Sequence, residues 1–563
     1  MTFIWARKRP SGVLDYYLRR TERVNGKPKV VMNLYLGTAE KILELVQGGG
    51  LAKEEFELVS FQFGTVATIA RVDVELALTE TVREVTKSDA TADALLSFVC
   101  GRSEEPVSKN AMDEWSKRSA IRFLRALPSL SCRSYLRYMD RLTPEHVRAI
   151  SFRIAERLVQ MGHDPSIVFF DTTNFSTEQQ PRGDDERTLP RAGHAKDHNM
   201  QAKLVGLATA TTNSPSYIPI MHETFPGNEQ DATVFQKTIG SMIETLTKLG
   251  VKCEDLCFVF DKGMNSQPGF TALAGSRVHF VSALKVNQVR EFLSMPMTAY
   301  SGKHVTAQGE EILTLRGKDA LTVMGVTGSV VVAYNASAEK RQSEDYESAK
   351  KRFLGGCREI AGSLAAASSG QRRGRPPTVE GTNRRVMGLI PNKWTKVFRF
   401  RVGNTLDSNG KVSLTYWVDK RSEGERRKSF GKTTIFTDMA EWSDERIVRT
   451  YFARGGMEED YHVLKDVLLL PVMPIYHRLD RRVEAHVFMC VLGLLLYRYI
   501  QWRIEKETGE RIPMGRMASI LRRVRLGGLV VKGSHRVRFK LERMGEEEAK
   551  IVKALQLEEF VPN

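Results

Sequence analysis

Tyr451, Arg454, Glu458 and Lys465 lie in the stretch YFARGGMEEDYHVLK, the last three at offsets of 3, 7 and 14 residues from Tyr451. On a single helix with 3.6 residues per turn they share an arc of about 60°. A carboxylate is thereby flanked along one face by an aromatic hydroxyl, a guanidinium and an amine. A metal-dependent nuclease or strand-transfer enzyme needs a carboxylate set among phosphate-binding groups in this way. The competing reading is a solvated, salt-bridged helix face. The choice turns on whether other carboxylates end strands elsewhere in the chain.

Two do. SIVFFDTTNF is a short apolar run ending in Asp171, and LCFVFDKGMNS is a second ending in Asp261. Each reads as a buried strand with an acid at its C-terminal end. MQAKLVGLATATT and SYIPIMHETFPGN read as two strands between them, and DATVFQKTIGSMIETLTKLG as a helix with Asp231 as N-cap and Gly250 as stop. VHFVSALK reads as a further strand. Three strands, a helix, a strand, a helix and a strand is the order of a ribonuclease H-like α/β domain. In that fold the first and fourth strands are neighbours, which would bring Asp171 and Asp261 together. A single acid at a strand end is usually only chain re-entering solvent; two in this order, with a third on a later helix, argue for a site.

The rest of the chain is organised around these elements. Residues 1–155 read as an N-terminal DNA-binding region, a small β unit with an Asn25-Gly26 hairpin turn followed mostly by helices. Residues 156–290 form the first part of the catalytic domain. Residues 291–438 read as a mainly β insertion, with segments such as GEEILTLRG and KVSLTYWVDK separated by turns. Catalytic sequence resumes over 439–520, and 521–563 form a C-terminal tail. The fold class is thus α/β, with an interrupted catalytic domain behind a mostly helical N-terminal region.

At 563 residues, with 42% hydrophobic composition, the chain has ample material for several cores. Its 84 Lys and Arg against 67 Asp and Glu leave +17, with a pI near 9.5. That balance favours a polyanionic partner, foremost nucleic acid, without separating an enzyme from a packaging protein. The six Cys have no disulfide-framework spacing, which suits a reducing compartment. The N-terminus lacks the apolar run of a secretory signal, and the most apolar segment, Val487 to Leu496, reads as a buried core helix. A soluble, cytoplasmic, nucleoid-associated protein without a membrane partner is expected.

With these residues in place, Tyr-(2)-Arg-(3)-Glu-(6)-Lys resembles the signature of a group of bacterial insertion-sequence DDE transposases. The segments around Asp171, Gly227-Asn228 and Asp261 also resemble that group's acid regions. The 197 residues from Asp261 to Glu458 match its inserted domain. The resemblance implies a transposase that binds terminal inverted repeats, cuts at the element's ends and joins them to target DNA, as a homodimer on paired ends. It implies Asp171, Asp261 and Glu458 as catalytic residues and metal ligands for two Mg²⁺ or Mn²⁺ ions, hard cations that prefer oxygen ligands. Asp171 would bridge both ions. Tyr451, Arg454 and Lys465 would contact phosphates of double-stranded DNA near the transposon end. Glu459 and Asp460 point about 100° and 200° away on a helix, so the register favours Glu458. The alternatives are a ribonuclease H-like nuclease without strand transfer and a non-catalytic DNA-binding derivative.

Four other patterns read as structure. Gly431-Lys432-Thr433 ends like a phosphate-binding loop, but Arg426 stands where that motif requires glycine. His194, His198, Cys253 and Cys257 have the types for a zinc site, but the Cys pair straddles the start of a buried strand. Arg373-Gly374-Arg375-Pro376, with the core of a minor-groove hook, reads as a solvated basic loop. Trp417 would stack on a flipped base as such a residue does in some relatives, or, as the commoner outcome, fill the core of the insertion.

Overall fold

A computed structural model describes the chain except residues 1, 25–26, 49–55, 179–188, 194–202, 214, 307–308, 370–374, 405–410, 532–536 and 563. The chain divides into two compact units: Met1–Ala77, Asp93–Tyr135 and Arg503–Asn563 form one, Leu78–Ala92 and Leu136–Trp502 the other.

In the first unit, strands Thr2–Lys8, Leu14–Val24 and Lys27–Gly37 form an antiparallel meander. The Asn25-Gly26 turn lies outside the described residues; the flanking pair Val24–Lys27 is in register for a two-residue connection. A second antiparallel sheet joins Phe56–Gln62 to Arg525–Val531 and Val537–Leu541, so the C-terminal strands pair with a strand from the N-terminal region. Helix Gly64–Leu76 begins at a close approach: a Cβ on Gly64 would sit 2.1 Å from the Leu521 carbonyl oxygen.

The second unit is built on one large mixed sheet. Its strands run in the order Gly302–Val305, Glu311–Arg316, Val326–Asn335, Lys432–Thr437, His279–Ala283, Cys257–Phe260, Ile167–Thr177, Lys203–Thr212 and Arg191–Ala192. Pro219–Pro226 also pairs with Lys203–Thr212. The three central strands, Ile167–Thr177, Cys257–Phe260 and His279–Ala283, are parallel. They are continuous apolar runs because both faces are covered. On one side, Phe170, Phe235, Phe260, Phe270, Phe280 and Phe436 form a chain of ring contacts, with centroids 4.6–5.3 Å apart at Phe235–Phe260, Phe270–Phe280, Phe170–Phe235 and Phe280–Phe436. Each such buried ring contributes about 1.5–3 kcal/mol. Helix Asp231–Lys248 adds Phe235, Ile239 and Leu246 to this core. Its N-cap is Gln230, one residue earlier than expected, and Asp231 lies inside the first turn.

The segment expected as a mainly β insertion differs from that description. Strands at 302–335 and 432–437 are hydrogen-bonded into the sheet that carries the acids. What departs from the sheet is the stretch from Ala336 to Gly431. It holds the 33-residue helix Ala336–Ser368, helices Val379–Met387 and Lys420–Arg427, and one hairpin, Phe398–Asn404 with Val412–Val418. It has its own core of Tyr346, Phe353, Ile360, Trp394, Phe398 and Phe430. Trp417 is not in that core. Leu414, Tyr416 and Val418 face it, so the two-residue period of the strand turns Trp417 outward, 43% exposed.

Helix Asp480–Thr508 is the one helix among the described residues long and apolar enough to cross a membrane. Its most apolar window is 94% buried within the protein, as a core helix is.

Candidate active site

Parallel pairing aligns Phe170 with Phe260, which puts Asp171 and Asp261 at the next position of two adjacent strands. Both phenylalanines point into the aromatic core, so each following acid emerges away from it. The Thr172 backbone N–H donates to Asp171 Oδ1 at 2.8 Å, fixing that carboxylate at the strand.

Glu458 comes from 197 residues later. The expected single helix over 451–465 is instead two, Asp444–Ala453 and Gly455–Lys465, meeting at Arg454. Two neighbours account for the break. A Cβ on Gly456 would fall 2.6 Å from the Tyr217 ring, so only glycine fits there. The Gly456 carbonyl accepts a 2.6 Å bond from Arg498 Nη2. Arg454 keeps right-handed helical angles, so the faces still align across the joint. The second helix is tied to the sheet by Tyr461, whose hydroxyl hydrogen-bonds to Thr209 Oγ1 at 2.8 Å; Thr209 is the antiparallel register partner of Asp171.

Arg454 stands among all three acids. Its terminal nitrogens lie 3.8 Å from Asp171 Oδ2, 3.8 Å from Asp261 Oδ1 and 4.0 Å from Glu458 Oε1. The side chain is 16% exposed, and its buried Nε has no hydrogen-bond partner among the described residues. Burial opposes its charge, but the carboxylates of Asp261, Asp171 and Glu458 offset this, and its pKa stands above the ordinary value. Tyr451 is buried and donates to Asp261 Oδ1 at 3.3 Å. Burial, with Asp261 beside it, pushes its phenol pKa up, so it stays a neutral donor. A cavity of about 430 Å³ opens onto Asp261, Lys262, Tyr451, Arg454 and Glu458.

Lys465 is not with them. Its Nζ lies 5.9 Å from the Phe175 ring, four residues along the strand from Asp171, or about 13 Å. Glu459 and Asp460 belong elsewhere too: Arg498, fully buried, donates to Asp460 Oδ1 at 2.6 Å and to Glu459 Oε2 at 3.1 Å. Of the four structural patterns, Lys432 donates to the Leu293 carbonyl at 2.7 Å, and Cys257 is buried while Cys253 contacts Thr247. His194, His198, Arg373 and Gly374 lie outside the described residues.

A fourth carboxylate, Asp231, was not expected at the site. Thr172 Oγ1 donates to Asp231 Oδ1 at 2.6 Å, and a methyl group on Gly263 would touch both Asp231 Oδ2, at 3.8 Å, and Asp261 Oδ2, at 3.9 Å. The available signal was an acid opening the helix that follows the third strand.

A sheet that aligns two strand-end acids, and a helix that delivers a third, define a class of α/β enzymes built on convergent carboxylates. Residues 162–496, more than half of the chain, match the family described as Transposase DDE domain, and the chain belongs to that family. It is a DNA-cleaving transposase. No curated protein matches the chain.

Proposed function

We propose that the chain is the transposase of an insertion sequence of the Tyr-(2)-Arg-(3)-Glu-(6)-Lys group, binding terminal inverted repeats, cutting at the ends and joining the 3′-hydroxyls to target DNA. The observation that carries this reading is the gathering of Asp171, Asp261 and Glu458 within 4.0 Å of one guanidinium. The three carboxylates offer oxygen donors only, the chemistry that suits Mg²⁺ or Mn²⁺, although with Arg454 between them no three such side chains among the described residues stand close enough to hold one ion. Asp171, Asp261 and Glu458 would hold two such ions, which supply Lewis-acid stabilisation and an activated hydroxyl nucleophile. Around them the protein's own groups orient DNA. Arg454 would exchange its carboxylate contacts for a phosphate, with two parallel N–H donors. Tyr451 holds Asp261, Asp231 braces Thr172 beside Asp171, and Lys465, at the end of its helix, adds a point charge beside Phe175, farther along the strand of Asp171. Residues 1–155 would bind the repeats, and two copies would pair the ends in the bacterial cytoplasm.

The test uses DNA ending in the inverted repeat that flanks the gene. Wild-type protein with Mg²⁺ is expected to cleave that end and join it to a second DNA. Asp171→Asn, Asp261→Asn and Glu458→Gln should each abolish both steps while retaining DNA binding. Cleavage without joining would replace the reading by a nuclease, and binding without either step by a non-catalytic protein.

A further inference from the structure

Beside the acid cavity runs a larger cleft of about 1070 Å³, and the two share Lys262 and Val286 as lining residues. One wall comes from the catalytic unit's loops, with Lys262, Lys285 and Arg290; the other comes from the 336–431 excursion, with Lys396, Arg421 and Arg426. Among the described residues none of these six cations has a carboxylate partner. The remaining cation of the cleft, Lys393, pairs with Asp345 at 2.5 Å. The cleft's one acid, Glu425, is already engaged by Lys428 at 3.1 Å. Elsewhere on the excursion Lys350 and Lys420 pair with Glu423, Arg384 with Glu380, and Arg427 with Glu347, while Lys340, Arg352 and Arg385 among others have no ion-pair partner among the described residues; what marks the cleft is that six such cations line one cavity. Arg426 also carries a buried Nε without a hydrogen-bond partner among the described residues, with its guanidinium 5.6 Å from the Trp394 ring.

Six like charges drawn together without counter-charges repel one another, so the arrangement is unfavourable unless a polyanion completes it. We propose that this cleft is the track for the phosphodiester backbone of the DNA strand leaving the acid site, gripped between the catalytic sheet's loops and the excursion. The inference rests on the acid site acting on DNA, and it adds which face carries the strand and which side chains hold it. Lys262, common to both cavities, meets the phosphate nearest the acids. The contacts are to backbone, so they set affinity and register without reading sequence.

The experiment measures binding of a 30-base-pair duplex by the full chain carrying Asp171→Asn, so that cleavage does not intrude. Parent protein is compared with the additional triple Lys285→Gln/Lys396→Gln/Arg421→Gln, all exposed side chains. A second triple, Lys237→Gln/Lys248→Gln/Lys303→Gln, removes the same charge from paired surface lysines away from the cleft. Each phosphate contact contributes about 0.9 to the slope of log affinity against log salt, so the cleft triple is expected to lower that slope by about 2–3. Affinity should fall at least tenfold at about 0.1 M salt, with an unchanged melting temperature, while the control triple moves the slope by less than about 1. An unchanged slope in the cleft triple, or an equal shift in the control, overturns the proposal. Absence of metal-dependent cleavage by wild-type protein, with the slope difference intact, would instead sink the catalytic reading and leave the cleft standing.

Discussion

Arg454 and Arg498 address different sides of one helix, Gly455–Lys465, and both sit among carboxylates. Arg498 is sealed in. Besides its bonds to Asp460, Glu459 and the Gly456 carbonyl it donates to Gln501 at 2.9 Å and lies 5.4 Å from the Tyr217 ring. Arg454 has three acids around it, yet its closest approach to any of them is 3.8 Å, beyond hydrogen-bonding distance. Consecutive acids on the helix therefore have different employment: Glu459 and Asp460 are committed to a fixed network, while Glu458 remains 71% exposed. A buried charge with every nitrogen hydrogen-bonded is architecture. A charge held loosely by several opposite charges can change partners without leaving a hydrogen bond unmade.

The contrast is broken most severely at the acids. Removing one by Glu458→Gln should cost several kcal/mol of transition-state stabilisation, or about 10³-fold in end cleavage, without lowering the melting temperature. Arg498→Met should do the reverse. It strands Asp460 in the core, costing about 3–5 kcal/mol in urea unfolding, and activity should fall only as the folded fraction falls. Arg454→Ala should weaken binding of a cleavable end by about 10- to 100-fold, the worth of one charge-assisted hydrogen bond, at near-normal stability. In the same variant three carboxylates lose their shared cation, so added Mg²⁺ should raise its melting temperature more than that of the wild type. The smallest and sharpest comparison lies at the joint itself. Gly456→Ala meets the Tyr217 ring and should cost about 1–3 kcal/mol, whereas Gly455→Ala, with open space around it, should be neutral or slightly stabilising.

The acids were legible because an apolar run that stops at an aspartate carries both signals in a few residues. Asp171 and Asp261 each stand directly after a core phenylalanine, and the strand order supplied their adjacency. The helix joint was less legible. Gly455 and Gly456 marked a weak point, but the cause, Tyr217 and Arg498, comes from far along the chain. Arg498 itself was a missed cue: a lone arginine within CVLGLLLYRYIQW must find partners inside the protein. Strand pairing across the excursion left no local trace either, since Val326–Asn335 and Lys432–Thr437 are each acceptable as strands of a separate domain. Trp417 shows the same limit, because its side of the hairpin depends on which face the long helix covers.

One junction has consequences for how this chain was assembled. The chain leaves the sheet at Asn335 and returns at Gly431, and the Asn335 N–H donates to the Gly431 carbonyl at 2.8 Å, with Tyr334 and Lys432 already paired as strand neighbours. Departure and return are a single turn's width apart, so nearly a hundred residues hang from a point that a tight hairpin would close. The excursion is a cassette: residues can be added to or removed from it without shifting the register of the sheet beneath it.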